Sequence, residues 1–592
     1  MHRINENAYV ETRTKKKVRQ ERGEYMEGME VSNGKIADQL HLMAQLLEIL
    51  EENPFKIRAY IRAAEVIGRL ATPVAALSPK DLETIAGIGP AIAEKVHEIA
   101  ANGTFPELEE ARGRVPPGLI EMLTLEGVGP KTARVLWKKL HIETLDDLEK
   151  AARGHRIRTL KGFGEKKERG FLKAIAIARQ RKEERRMTRL EADLVIEEVK
   201  RVMREGTYDV AGSYRRGKST IGDIDIVSVD TPSTLNRRLT QIADEVLDEG
   251  ERKTSFRCRG SRVDIRYTTR STLGTMLLYL TGSKAFNIRL REIALQKGWR
   301  LNEYGIRDLT LGTVHEFSRE AEIFSFLGMD PIVPELREDW GEIDAALSHN
   351  LPNLVERSQI RSDLHVHSSW SDGNLDIPAL AKAGEAHGYT HLLCTDHSSS
   401  LGIARGLDEP ALRRQAHEIE ISNRDSSCQI LHGVEVDILA DGTTGLPSRI
   451  LKDLDVVIGS VHSAFSQEID VMTRRVLSAI GNEHIDIIGH PTGRLLGQRE
   501  AYAIDMPRVI AAAAEAGKAL ECNASPFRMD IDDLHIREAV TKGVPISIGT
   551  DSHGPGDLAW MDYGVKLCRR GWAEPGNILN TMSVDGLREW AS

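Results

Sequence analysis

Short apolar runs alternate with amphipathic stretches in the last two-fifths of the chain. Four apolar runs have the length of buried parallel strands. They lie at 390–394, 454–458, 485–488 and 544–548. Three further stretches have helical spacing, and they lie at 377–387, 409–423 and 506–516. A repeated strand–helix pattern of this kind predicts a (β/α) barrel.

The first part of the chain has the spacing of helices instead. Between residues 33 and 108, apolar residues recur at three- and four-residue spacing, as at Leu42, Leu46, Leu47 and Leu50. This periodicity places the apolar side chains on one face of each helix. It predicts an all-helical domain at the front of the protein.

A Gly-x-Gly sequence recurs in this helical part. Gly87 and Gly89 form the first copy, Gly127 and Gly129 form the second, and a degenerate third copy lies at 160–167. Glycine lets a hairpin backbone approach a phosphate, which then binds amides at the N-terminus of the next helix. The pattern resembles the helix-hairpin-helix motif, which implies binding to the DNA backbone without base specificity. A set of plain helix-packing elements is the alternative.

Acidic residues alternate with apolar residues on two strands in the middle of the chain. Asp223 and Asp225 are two residues apart and therefore face the same side of a strand. Asp264 lies on the second strand and can complete a cluster of three. Three carboxylates on one face repel one another without cations, and oxygen ligands favour Mg²⁺ or Mn²⁺. Two such ions suit phosphoryl transfer, whereas a plain surface strand is the alternative.

The turn before the first acidic strand carries groups that bind phosphate. Gly212 and Ser213 begin this turn, and Arg216 follows within it. Backbone N–H, hydroxyl and guanidinium groups are all donors to phosphate oxygens. The segment therefore predicts a triphosphate site beside the carboxylates.

Histidines and carboxylates cluster where the predicted barrel strands end. Twelve of the 19 histidines lie after residue 360. The fragments that carry a histidine, a carboxylate or both lie at 363–367, 395–397, 433–435, 460–462, 489–491 and 550–553. Neutral imidazole and carboxylate together bind Zn²⁺, Mn²⁺ or Fe²⁺. A lone histidine at a strand end is usually a core residue, but six fragments at one topological place predict a multinuclear metal site that hydrolyses phosphate esters.

Length and charge limit the architecture and the partners. A chain of 592 residues is expected to form three to five domains. The net charge of −9 argues against a uniformly basic nucleic-acid binder. Basic clusters nevertheless crowd the first half, at 15–17, 153–167, 179–189 and 214–218. Such local surfaces steer DNA whatever the total charge.

Cysteine usage and hydropathy predict a cytoplasmic protein. The five cysteines are odd in number and contain no Cys-x-x-Cys pair, which indicates a reducing compartment without disulfides. No apolar run approaches 18 residues and the N-terminus is polar, so neither a signal peptide nor a membrane span is expected. Residues 1–30 are charged and poor in apolar residues, which predicts a disordered tail.

From about residue 360 onward, the fragments resemble the PHP (polymerase and histidinol phosphatase) domain. The resemblance implies a distorted seven-stranded (β/α) barrel with nine ligands for up to three ions, which would be Mn²⁺, Zn²⁺ or Fe²⁺. The positions that match the nine ligands are His365, His367, Asp372, His397, Glu435, His462, His490, Asp551 and His553.

The middle of the chain resembles the nucleotidyltransferase palm, and more closely that of the family X DNA polymerases. The resemblance implies that Asp223, Asp225 and Asp264 hold two catalytic Mg²⁺ or Mn²⁺ ions. It assigns nucleotide binding, including contacts to the nascent pair, to Gly212, Ser213, Arg216, Gly222, Tyr279, Gly282, Asn287 and Arg291. Leu280 stands where the family often has an aromatic residue.

In some members of this family, the small N-terminal domain removes a 5′-deoxyribose phosphate through a lysine Schiff base. Lys95 stands at the matching position, and Lys56 and Tyr60 are retained as DNA-binding positions. Phe55 and Ala91 replace a histidine and a lysine of the family pattern. Lys95 is therefore either a lyase nucleophile or a contact to a 5′-phosphate.

The combined motifs predict a multidomain α+β and α/β enzyme with the architecture of the bacterial and archaeal family X polymerases that carry a PHP domain. The expected domains are a tail (1–30), a helical domain (31–110), a second hairpin domain (111–187), a palm (188–269), a thumb (270–340), a linker (341–360) and the PHP domain (361–592). We expect a monomer that uses dNTPs on gapped or nicked DNA in base excision repair. The barrel is expected to act as a 3′→5′ exonuclease and to cleave at abasic sites. Two alternatives are a barrel that hydrolyses small phosphate esters and an inactive palm that serves as a DNA end-binding scaffold.

Overall fold

The computed structural model describes residues 33–69, 74–85, 87–123, 125, 127–160, 162–183, 186–399 and 404–592. The tail predicted at 1–30 lies outside these residues. The chain divides into two compact units, with the boundary between Arg185 and Arg186. Among the described residues, no helix is both long enough and apolar enough to cross a bilayer.

The first unit is helical, as its periodicity predicts. Its helices are α1 (Asn33–Ile49), α2 (Pro54–Arg69), α3 (Pro79–Glu83), α4 (Pro90–Asn102), α5 (Pro106–Gly113), α6 (Pro117–Met122), α7 (Pro130–Leu140), α8 (Leu145–Arg153) and α9 (Glu165–Glu183). Helices α3 to α7 each have proline in the first turn, where its fixed φ suits the helix and its missing N–H leaves no partner unsatisfied. One hydrophobic core runs from Ile36 to Ile175, so the two predicted helical domains share it.

The first glycine of each of the three hairpins has a left-handed backbone. Gly87, Gly127 and Gly162 have φ values of +110°, +83° and +86°, in the region that favours glycine. Gly89 and Gly129 are extended N-caps of α4 and α7. The third copy, which looked degenerate in sequence, therefore turns in the same way and leads into α9.

The second unit begins with the palm. Its strands are β1 (Met187–Thr188), β2 (Tyr208–Val210), β3 (Thr220–Ile221), β4 (Ile224–Ser228), β5 (Glu245–Glu249), β6 (Lys253–Cys258) and β7 (Ser261–Tyr267). The main sheet has the order β2-β4-β7-β6-β5, and β4 and β7 run parallel with Asp225 opposite Asp264. Its helices are α10 (Arg189–Val202), α11 (Gly212–Arg215) and α12 (Pro232–Leu239).

The thumb follows the palm and has its own core. It contains α13 (Leu273–Thr281), α14 (Lys284–Gln296), α15 (Glu320–Leu327) and a three-stranded antiparallel sheet of β8 (Trp299–Asn302), β9 (Gly305–Asp308) and β10 (Val314–His315). The segment predicted as a linker at 341–360 is ordered into α16 (Glu342–Leu347), and Val355 within it is fully buried.

Seven parallel strands then form the barrel in chain order. They are β11 (Ser362–Val366), β12 (His391–Cys394), β13 (Gln429–Asp437), β14 (Val456–Ser460), β15 (Ile487–Ile488), β16 (Ala519–Asn523) and β17 (Ile546–Gly549). The accompanying helices are α17 (Ile377–Ala386), α18 (Glu409–Ser422), α19 (Ser448–Leu451), α20 (Ile469–Ile480), α21 (Met506–Ala516), α22 (Asp533–Thr541), α23 (Met561–Arg570) and α24 (Val584–Ala591). Val366 pairs with Ser552 beyond the last strand, which nearly closes the barrel and confirms the predicted (β/α)₇ fold.

Candidate active sites of the palm and the barrel

The palm brings its three predicted carboxylates together. Asp223, Asp225 and Asp264 each offer an oxygen, and these oxygens lie within 4.8 Å of one another. The parallel pairing of β4 with β7 produces this cluster, because it sets Asp225 directly opposite Asp264. Gly212 is required beside it, since a β carbon there would collide with the Asp225 carboxylate.

The charges of this cluster are unbalanced around Asp225. Burial, and then the neighbouring carboxylates of Asp223 and Asp264, raise the pKa of Asp225 to about 7. Lys253 Nζ lies 3.0 Å from Asp264 Oδ2, and Arg262 Nε lies 3.1 Å from Asp264 Oδ1. Burial alone would raise the pKa of Asp264, but these cations lower it. Divalent cations fit the cluster, because they would relieve the repulsion at Asp225.

A cavity of about 430 Å³ opens beside the palm carboxylates. Its lining includes all eight positions that the sequence assigns to nucleotide binding: Gly212, Ser213, Arg216, Gly222, Tyr279, Gly282, Asn287 and Arg291. Sequence reasoning missed three further cations in the lining, which are Arg186, Lys218 and Lys284. The sequence could have indicated two of them, because Lys218 directly follows the segment with Arg216, and Lys284 directly follows the segment with Gly282.

The barrel brings its nine predicted ligands to the carboxyl ends of its strands. The candidate ligands form three groups, and within each group the ligand atoms lie within 4.8 Å of one another. The groups are His367, Asp372, His397 and His553; His365, His367 and Asp551; and His397, Glu435 and His462. His490 joins the third group, with Nε2 2.9 Å from Glu435 Oε1. Residues shared between groups, such as His367 and His397, make the cluster suited to more than one ion.

Carboxylates behind the cluster fix the orientation of two histidines. Glu521 Oε1 lies 2.6 Å from Nδ1 of His365, and Asp437 Oδ1 lies 2.7 Å from Nδ1 of His462. Each contact leaves Nε2 directed at the cluster. Sequence reasoning missed Glu521 and Asp437, although both lie on barrel strands at or near the carboxyl end.

Buried ring nitrogens test whether metal ions fit this cluster. Nε2 of fully buried His365 faces oxygens of Glu435 and Asp551 at 3.6 and 3.7 Å, beyond hydrogen-bond distance. Burial, and then the neighbouring His553 and His397, lower the pKa of His367 to about 4, which keeps its ring neutral. Around His365 the carboxylates of Glu521, Glu435 and Asp551 outweigh burial and raise its pKa well above the usual value, so a metal ion bound there would displace a proton from its ring. Imidazoles and carboxylates that face each other across such gaps are the donor set of a transition-metal site.

Strained backbone occurs at two of the predicted ligands. His490 has φ +26° and Asp551 has φ +56°, a region that residues with a β carbon rarely adopt. Such conformations persist where the surrounding structure imposes them, often at functional sites. A further residue that sequence reasoning missed, Arg528, reaches this end of the barrel, with Nε 3.3 Å from Asp551 Oδ2.

The predicted lyase residue of the helical unit is held in an ion pair. Lys95 Nζ lies 2.7 Å from Glu107 Oε1 and 3.2 Å from Glu98 Oε2, and its side chain is 13% exposed. Burial alone would lower the pKa of Lys95, but hydrogen bonds to Glu107 and Glu98 raise it above its usual value. A Schiff-base nucleophile needs the opposite shift, since only the neutral amine attacks.

The two other predicted DNA-binding side chains of this unit differ in exposure. Lys56 is exposed on α2, as a phosphate contact requires. Tyr60 is buried, and its ring stacks on Phe105 at 6.3 Å between centroids. The prediction that Tyr60 contacts DNA therefore meets a side chain whose ring packs in the core against Phe105.

Family models match five successive segments of the chain. The matching family models are a helix-hairpin-helix domain (31–105), a SAM-like helix-hairpin-helix tandem (119–172), a DNA polymerase beta palm (181–257), a DNA polymerase beta thumb (276–338) and a PHP domain (363–525). The PHP match ends before β17, although the structure continues the barrel through that strand.

Comparison with whole proteins adds one full-length relative and several partial ones. The chain is 35% identical over 557 residues to the DNA polymerase/3′-5′ exonuclease PolX of Bacillus subtilis, which covers 92% of this chain and 96% of the relative. A probable phosphatase of Thermoanaerobacter is 32% identical over 241 residues, and one of Caldanaerobacter subterraneus is 34% identical over 240 residues. Each phosphatase matches only 38% of this chain.

Proposed function

Because the chain belongs to the PolX family of DNA polymerase/3′-5′ exonucleases, we propose that it fills short gaps in DNA and trims 3′ ends during repair. The observation that carries the proposal is the presence of two separate clusters of candidate metal ligands in one chain. The three palm carboxylates and the nine barrel ligands are each gathered in one place. The hairpin and thumb domains imply that DNA is the substrate of both.

In the palm, the chain's own residues would bind and orient the incoming nucleotide. Ser213 and Arg216 line the cavity beside Asp223 and Asp225, so a dNTP would place its phosphates between these donors and the carboxylates. Lys284 and Arg291 add positive charge to the same lining. The primer 3′-hydroxyl would approach from the side of the three carboxylates.

The ions at both sites follow from their ligands. The all-oxygen palm cluster suits two Mg²⁺ or Mn²⁺ ions, and the histidine-rich barrel cluster suits up to three Mn²⁺, Zn²⁺ or Fe²⁺ ions. Bound cations would stabilise the charge that develops on the transferred phosphoryl group. The enzyme would act as a monomer, and the barrel would also accept abasic sites.

Two rival functions make different predictions. A barrel that hydrolyses small phosphate monoesters is favoured by its likeness to the probable phosphatases, but these relatives lack the rest of the chain. A scaffold with an inactive palm conflicts with the intact triad of Asp223, Asp225 and Asp264. A barrel that hydrolyses 3′-ended DNA better than small phosphate monoesters would exclude the first rival. Primer extension by the chain would exclude the second.

One assay tests the proposal directly. A 5′-labelled gapped duplex is incubated with Mg²⁺ or Mn²⁺, with and without dNTPs, so that lengthening and shortening are measured on the same strand. We expect extension with dNTPs and shortening without them. The Asp225→Ala variant should lose at least about 10³-fold in extension, the cost of removing a ligand from a two-metal site. Extension within tenfold of the wild type would reject the palm assignment.

A further inference from the structure

The palm and the barrel share a buried ion network. Arg570, the last residue of α23, is fully buried, and its Nη2 lies 2.9 Å from Glu338 Oε1. The same Glu338 oxygen lies 3.0 Å from Nε of Arg216, which lines the nucleotide cavity. A barrel arginine and a palm arginine therefore share one thumb carboxylate.

Arg570 also contacts the backbone of the nucleotide-binding turn. Its Nη1 donates a hydrogen bond of 2.7 Å to the carbonyl oxygen of Arg216. Gly217, the next residue, has φ +78°, and a β carbon there would lie 3.4 Å from Arg570 Cδ. The turn of residues 212–218 thus rests on the end of α23.

A second contact joins the same turn to the same helix. The hydroxyl groups of Tyr214 in the turn and Tyr563 on α23 both donate to the carboxylate of Asp193, with 2.6 Å between Tyr214 Oη and Asp193 Oδ1. Arg189 is buried beside them and donates to the carbonyl oxygens of Tyr214 and Lys218. The turn is therefore held to the barrel helix directly at Arg216 and through Asp193 at Tyr214.

The charges of the network bear on nucleotide binding. Arg216, Lys218 and Arg570 face the two carboxylates of Glu338 and Asp533. Within this network, three cations against two anions leave one net positive charge. Without Arg570 the charges would balance, and Glu338 would hold Arg216 more strongly in competition with the phosphates.

We propose that Arg570 of the barrel is a positioning residue of the polymerase site, which holds the 212–218 turn and shares the charge of Glu338 so that Arg216 can bind the triphosphate. The proposal rests on the proposed polymerase function. It implies that the nuclease domain sets part of the nucleotide affinity of the palm. The link is structural and does not require the metal ligands of the barrel.

Steady-state gap filling by full-length Arg570→Ala tests the proposal. We expect KM for the dNTP to rise about 10-fold, the effect of removing one charge-assisted interaction, while kcat changes less than about threefold. Exonuclease activity should stay within twofold, because the nine barrel ligands are untouched. Arg570→Lys should restore part of the affinity, since it keeps the charge but not both hydrogen bonds.

Arg569→Ala is the matched control. Arg569 precedes Arg570 on α23 and is also partly buried, but its Nε contacts Glu335 at 2.9 Å and its Nη1 donates to the carbonyl oxygen of Val355. It touches neither the turn nor Glu338 through these bonds. KM for the dNTP should therefore stay at the wild-type value, and an equal rise in both variants would reject a specific role for Arg570.

A double variant shows whether Arg570 positions Arg216 for the nucleotide or only stabilises the fold around it. Adding Glu338→Gln to Arg570→Ala removes the carboxylate that competes for Arg216, so KM should return toward the wild-type value. Additive losses in the double variant, or a wild-type KM in Arg570→Ala, would overturn the proposal. If Arg570→Ala does not fold, Arg570→Lys carries the same test with a smaller expected rise.

Calorimetric measurement of dGTP binding with Mg²⁺ tests the role of Arg570 independently of whether the chain is a polymerase. Weaker binding by Arg570→Ala than by the wild type and Arg569→Ala supports the positioning role even without turnover. Equal binding by all three rejects it. Failure of the wild type to extend a primer rejects the polymerase function instead, and the binding comparison still decides on Arg570.

Discussion

In the palm and in the helical unit, neighbouring charges determine the protonation of single functional residues. In the palm, Lys253 and Arg262 lie beside Asp264 and lower its pKa, whereas burial and the carboxylates of Asp223 and Asp264 outweigh the cations near Asp225 and raise its pKa. In the helical unit, Glu107 and Glu98 keep Lys95 charged. The motifs predicted which residues gather at each site, but these compensating neighbours come from other strands and helices.

Asp225→Asn should stabilise the metal-free protein while it abolishes extension. The pKa of Asp225 is raised from 3.8 to about 7, so its carboxyl costs stability once the pH rises above the unfolded value. That cost grows up to about pH 7 and stays constant above it. In chelator, urea titrations should show a gain of about 1–3 kcal/mol at pH 8 and almost none at pH 4.

Added Mg²⁺ is the control for this prediction. Cations should stabilise the wild type at pH 8 and leave the Asp225→Asn variant nearly unchanged, because the asparagine removes a charged ligand. A gain that is equal at pH 4 and pH 8 would contradict the electrostatic origin.

Lys95 should fail as a Schiff-base nucleophile. Its ion pair with Glu107 raises its pKa, so the neutral amine is scarce at neutral pH. Borohydride trapping on a 5′-incised abasic duplex should give equally low cross-linking for the wild type and Lys95→Ala. Glu107→Gln, which removes one of the partners, should increase trapping if any occurs. Strong trapping in the wild type alone would establish Lys95 as the nucleophile.

Elements were predictable where a local pattern determines them. The apolar run before His397 predicted 390–394, and β12 is His391–Cys394. The periodicity at 506–516 predicted α21 to the residue. The segment 341–360 was predicted only as a linker, because its short helix α16 is stabilised by burial of Ile343 and Ala346 rather than by an extended pattern.

The glycine hairpins give a prediction at the scale of the element. Gly127→Ala places a β carbon at φ +83°, which costs about 1–2 kcal/mol and tilts the hairpin amides away from phosphate. Affinity for gapped duplex should fall, and the log–log salt slope should become shallower by about 0.9 for each DNA phosphate that the variant no longer neutralises. Fluorescence anisotropy over a salt series measures both.

Gly113→Ala is the matched glycine control. Gly113 ends α5 with open space around its α carbon and no left-handed backbone. Its replacement should leave the affinity and the salt slope unchanged. A loss of affinity equal to that of Gly127→Ala would show that the hairpin conformation is not the determinant.

At the scale of the whole molecule, the sequence predicted the order of domains but not how they touch. Each motif was recognised from short contiguous fragments, whereas the network of Arg216, Glu338 and Arg570 joins residues that lie 122 and 354 positions apart and belong to no shared pattern. No local periodicity encodes such a pair. If the turn binds the nucleotide as we propose, the fused barrel is more than an added nuclease, because its α23 supports that turn.

The two chemistries should separate by residue although they share one compact unit. His365→Ala removes a barrel ligand and should abolish exonuclease activity, while α23 and the 212–218 turn remain, so KM for the dNTP should stay within twofold. Asp225→Ala should abolish extension and spare shortening of a 3′ end. Both rates are read on the same labelled gapped duplex. Loss of nuclease activity in Asp225→Ala with retention in His365→Ala would place the nuclease in the palm, and a raised KM in His365→Ala would show that the barrel ligands themselves support the turn.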